Sequence, residues 1–285
     1  MKHMKAFRTI LAGLFLTLIA ITVMTSCNNT GKQDKQANQA AADTIKKDVT
    51  LSPENKNLLY QFPTPFEVTM MLQRAKAGFI FNITNSPANV TKYSTEKAKA
   101  LNLGVYSADL SYAATYNYVD ETNKFLACTG KLANDLGIAG VYDPGLVDKV
   151  KKFNNNKDSL VNMVTRIFGK TNDFLSKNNR NQIAVLVATG TFVEALYLAS
   201  ALNQVAADNK AISTVIFRQK DNLDKLVTLL TAYNMDSELK PIGDEVSKLK
   251  VIYSNYGLEA DKKLPQQKAA EIGDLTQSVR DSFIK

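Results

Sequence analysis

Tryptophan is absent from the 285 residues, histidine occurs once and cysteine twice. The single imidazole is His3, inside a segment that looks like a removable export signal, so the mature protein would contain none. Without histidine, Ser-His-Asp and Cys-His mechanisms lack their base, and imidazole-based metal sites cannot form. Of the two thiols, Cys27 directly follows the export segment and Cys128 is left alone in the domain, which excludes an internal disulfide. Cys128 falls in a helical pattern, where a small buried side chain is expected. Phosphate-loop, dinucleotide, zinc and calcium-loop spacings are all missing. No cofactor and no metal site are therefore expected. Alternating strand patterns are missing too, which leaves helices to build the fold.

What is present begins with an address. Lys2, Lys5 and Arg8 form a positive leader, and Ile10 to Met24 an uncharged apolar run, the layout of a signal peptide over residues 1–26. Its end, V-M-T-S-C at Val23 to Cys27, resembles the lipobox of bacterial lipoproteins. That resemblance implies acylation of Cys27 as the mature N-terminus and a partner in the membrane itself. It also implies a location in the bacterial cell envelope, taken as the outer membrane facing the periplasm. Residues 27–57 are rich in Asn, Gln, Lys, Ala and Asp, too polar to offset the entropy of ordering, and are expected to be a flexible tether. As a random coil, the stretch from Asn28 to Thr50 would reach about 25–30 Å. Loss of the leader removes three positive charges from the formal +8, and the remaining lysines are scattered among acids. No nucleic-acid partner is expected from so dispersed a charge.

The remainder, residues 58–285, is expected to be an all-α domain of about eight helices, a multi-helix bundle or a stack of helical hairpins. Thr64-Pro65-Phe66-Glu67 predicts a capping box and a helix to about Lys76. The following GFIFNITNSP fits either a helix extension or a packed loop. Helices are then expected over 94–117, 120–136, 144–153 and 157–177, followed by the central one and by segments at 211–233, 241–256 and 265–283. Asp143-Pro144 is expected to open the 144–153 helix.

The domain is expected to form around Ile183 to Leu202, IAVLVATGTFVEALYLASAL, with Glu194 as its one charge. A helix apolar on all sides either spans a membrane or fills a core. The central acid, the interspersed Thr189, Gly190, Thr191 and Ser200, and the absence of flanking cations favour the core. Gly190 costs about 1 kcal/mol against alanine in a helix, which a close crossing by a neighbouring helix would justify.

Asp109 and Glu194 are two acids in apolar stretches, and buried carboxylates persist only when paired or hydrogen-bonded. Asp109 lies three residues from Tyr106 and Tyr112, within reach of either phenol. Should the acids converge in a water-accessible cleft, they would have the elements of a carboxylate hydrolase or lyase. Tyr112 and Tyr116 would line the cavity of a carrier for an apolar or sugar-like ligand, if such a cavity exists. FPTPFEV at Phe62 to Val68, LGVYSADLSYA at Leu103 to Ala113 and GTFVEALYLA at Gly190 to Ala199 resemble a group of all-helical bacterial envelope lipoproteins. That resemblance implies location and helical class but no substrate. The expectation is a non-catalytic binding or scaffolding protein, with an envelope protein or glycan as partner.

Overall fold

A computed structural model of the chain describes residues 50–138, 140–143, 145–153, 156–233, 236–254 and 264–285. The leader, Cys27 and most of the expected tether lie outside the described residues. Among those described there are eleven α-helices, one short 3-10 helix and no strand, which confirms the all-α class and raises the expected count of about eight.

The fold starts earlier than residue 58. Helix α1, Pro53–Tyr60, is capped by the Ser52 hydroxyl, and Leu51 and Leu59 are already buried. Helix α2, Pro65–Arg74, opens on its proline as expected, but the Thr64 side chain makes no cap bond. A backbone bond from Glu67 N–H to the Thr64 carbonyl at 3.1 Å takes its place. The helix ends before Lys76, which adopts φ 58°. Residues 75–86 then form a packed strap, settling the ambiguity over GFIFNITNSP, and lead into a 3-10 turn at Pro87–Thr91.

Helix α3, Glu96–Thr115, is capped by Thr95 and buried at every position from Ala100 onward. Helix α4, Val119–Asp135, packs beside it. Helix α5, Leu146–Lys152, starts later than expected, from Gly145, whose N–H donates to Asp143 at 2.8 Å. Pro144 lies outside the described residues. Helix α6, Lys157–Lys177, is capped by the Asn156 side chain.

Helix α7, Asn181–Val205, is the centre. It is long and apolar enough to cross a membrane, yet 89% of its most apolar window is buried against other helices, chiefly α3 and the last helix. The expected single helix over 211–233 is two, α8 (Lys210–Phe217) and α9 (Lys220–Thr231). They break at Gln219, which is buried with its amide donating to the Val215 carbonyl at 3.1 Å. Helices α10, Lys240–Ser254, and α11, Gln266–Ile284, complete the domain.

Helices α3 and α7 touch backbone to backbone. A Cβ on Gly190 would stand 1.9 Å from the Leu101 carbonyl oxygen, and one on Gly104 would stand 2.1 Å from that of Val187. Glycine is required at both positions because contacts that short are impossible for any side chain. Thr191 fastens the crossing with a hydroxyl bond to the Gly104 carbonyl at 3.2 Å.

Candidate functional site

The α3–α7 crossing sets Asp109 five residues beyond Gly104 on one helix and Glu194 four residues beyond Gly190 on the other. The two acids meet: each carboxyl acts on the other's ionisation, and neither has any exposed surface. Arg280 of α11, itself 5% exposed, completes the cluster. Its Nε donates to Glu194 Oε2 at 2.6 Å and its Nη2 to Oε1 at 2.9 Å, a bidentate pair. The guanidinium also lies 4.0 Å over the Tyr197 ring, where a desolvated cation gains further from the π face.

Two buried carboxyls facing one guanidinium cannot both stay ionised. Asp109 is the one that keeps a proton: burial and the neighbouring Glu194 charge push its pKa well above the ordinary aspartate value. Glu194 is pushed up by burial and pulled back by Arg280, and the two-point guanidinium contact makes it the ionised partner. As a carboxylate, Asp109 would leave Oδ1 without a donor. As an acid, it has a proton to offer the neighbouring Glu194, which agrees with the charge count.

The expected phenol bonds to Asp109 are not made. Instead the tyrosine hydroxyls, together with the cluster, grip the underside of the 75–86 strap. Tyr116 donates to the Ala77 carbonyl at 2.8 Å, Tyr112 accepts from the Ile80 N–H at 2.8 Å, and Tyr106 donates to the Ser86 carbonyl at 2.7 Å. Asp109 Oδ2 accepts from the Asn85 N–H at 3.1 Å, and Arg280 donates to the Ile83 carbonyl at 3.3 Å. Asn102 ties α11 to the same corner, donating to the Phe283 carbonyl at 2.7 Å. Burial raises the pKa of all three phenols, so they stay neutral donors at physiological pH.

Asp109, Tyr112, Tyr116 and Glu194 are thus brought together under one strap. The cluster is sealed rather than set in a water-accessible cleft. At the tyrosines the space is filled by rings: Tyr112 is fully buried and stacks on Phe79 with centroids 4.5 Å apart. Cys128 is buried, and desolvation raises its thiol to about 12, which leaves it inert.

The strap's outer face differs from its inner one. Phe79 stacks on Tyr118 at 4.1 Å, and Phe81 meets the Tyr118 ring edge-on at 5.1 Å. Phe81 remains 53% exposed and Tyr118 37%. Beside them opens a depression of about 470 Å³ bordered by Phe81, Asn82, Thr84, Glu121 and Lys124. Sequence reasoning missed Arg280, whose only signal was a cation between core-spaced Ile272, Thr276, Val279 and Phe283. It missed Phe81 because exposure of a single aromatic is set by tertiary contacts. Comparison with protein-family models, curated proteins and solved structures returned no match.

Proposed function

We propose that the chain is an exported lipoprotein, acylated on Cys27 and held at a bacterial envelope membrane. Its helical domain binds or scaffolds another envelope component, a protein or a glycan, without catalysis. The charged leader, the apolar run and the VMTSC ending support the anchor, and the polar stretch behind them supports a domain standing off the bilayer.

The observation that carries the binding reading is the Phe81–Tyr118 corner. An aromatic left half in water contributes little to the fold, yet five bonds from α3 and α11 fix the backbone beneath it. A rigid, exposed aromatic beside polar groups is the composition of a contact hot spot. The acids support a structural role for the cluster, since both are fully buried, Glu194 held by Arg280 and Asp109 by the Asn85 N–H.

The test is a photoreactive phenylalanine analogue placed at residue 81 in cells. The same analogue at Val251, another exposed apolar position, is the control. The reading expects a discrete crosslinked product from 81, absent from 251 and lost in Cys27→Ser. Equal crosslinking at both sites, or none at either, would defeat it.

A further inference from the structure

A second surface is built on different chemistry. Between α5 and α6 opens a cleft of about 530 Å³, within the size range of small-molecule sites. Its floor is apolar, with Val141, Leu146, Met163 and Ile167 buried. Its rim is cationic, formed by Lys149, Arg166 and Lys170 around a single acid, Asp143. Asp143 is already engaged, accepting from the Gly145 N–H at 2.8 Å and from Lys149 at 3.4 Å. Arg166 and Lys170 are exposed and make no direct ion pair among the described residues, Lys170 feeling Asp143 only at longer range. They sit four residues apart on α6, so two like charges repel along one helix face. An anion lodged between them would turn that repulsion into attraction.

The floor and the rim restrict the occupant together. A bare inorganic ion would leave the apolar floor unused, and a neutral or basic ligand would leave the cations uncompensated. The chain's own polar stretch is a poor occupant by sign, because residues 28–49 carry four lysines against three aspartates. We propose that this cleft binds a single-chain anionic amphiphile, a fatty acid or a monoacyl phosphate. Its head group sits between Arg166 and Lys170, and its alkyl chain lies on Leu146, Met163 and Ile167. The site depends neither on acylation of Cys27 nor on the Phe81 corner.

The experiment uses the full chain in nanodiscs of neutral phosphatidylcholine, irradiated with a fatty acid carrying a diazirine at its chain end. The expected label concentrates in residues 140–170. Dodecanoate and dodecyl phosphate compete for it, and the stronger of the two identifies the preferred head group. Dodecyl maltoside and acetate compete about tenfold less well or worse, the worth of one charge-assisted hydrogen bond. Arg166→Gln combined with Lys170→Gln loses a similar factor in labelling while melting as the parent does. Scattered label, or undiminished labelling of the double variant, would overturn the proposal. Competition by the maltoside equal to that by dodecanoate would reduce the cleft to an apolar adhesion site, and equal competition by acetate to a simple ion site; either result overturns it.

Discussion

Replacing Gly190 by alanine should destabilise the domain, although alanine is the better helix former. On the observed backbone the new Cβ would stand 1.9 Å from the Leu101 carbonyl oxygen, where carbon–oxygen contacts normally run about 3.3–3.6 Å. The obstacle is main chain, so α3 and α7 must part by about 1.4 Å to reach even the lower end of that range. That movement stretches the 3.2 Å bond from Thr191 to the Gly104 carbonyl beyond hydrogen-bonding range. Overpacking costs about 1–3 kcal/mol, the lost bond about 1, and improved propensity returns about 1. The net loss is about 1–3 kcal/mol, or a fall in Tm of about 2–12 °C for a domain of this size. Gly169→Ala is the matched control. It lies inside α6, and a Cβ added there would have nothing within 4 Å, so it should gain up to about 1 kcal/mol. Thermal and urea melts followed by circular dichroism measure both. A Gly190→Ala protein within about 0.5 kcal/mol of the parent, or two variants shifting in the same direction, would refute the backbone-contact argument.

Glu194→Gln strands the Arg280 charge in the core and should cost about 3–5 kcal/mol in urea unfolding. Asp109→Asn replaces an acid that is already protonated with an amide that can still donate to Glu194, so about 1 kcal/mol or less is expected; a larger loss for Asp109→Asn than for Glu194→Gln would reverse the charge assignment. The pH dependence follows from the same proton. Because the folded-state pKa of Asp109 lies above its ordinary 3.8, its contribution is complete below about pH 4 and is lost as pH rises towards the folded value, by up to about 1.4 kcal/mol per unit. Asp109→Asn should therefore gain on the parent as pH is raised from 4 to 7 in urea melts, and a variant that instead loses ground would contradict the assignment.

Helices with strong periodicity were legible to within a few residues. The stretches expected at 94–117 and 157–177 are α3 and α6, and the apolar run marks α7. Helix α1 was missed because PENKNLLY buries only Leu59 and has little amphipathic pattern. The break between α8 and α9 carries neither glycine nor proline and depends on the buried Gln219 amide. Gly190 was readable as a crossing point, because a glycine in a central helix calls for a reason. The acids were readable as a pair needing partners, but which cation they meet was not. Arg280 lies 86 residues from Glu194 in sequence, and only the packing of α11 on α7 joins them. The tyrosines were visible as a concentration, whereas their bonding to the strap's backbone depends on a segment without periodicity.

The claim on which the functional reading rests is that Cys27 carries the protein to the membrane. Intact-mass and N-terminal peptide mass spectrometry on protein from its native envelope tests it most directly. The account predicts a mature chain whose first residue is Cys27 bearing fatty acyl groups, with none on Cys128. An unmodified Cys27, or a mature chain that starts beyond it, would contradict the account.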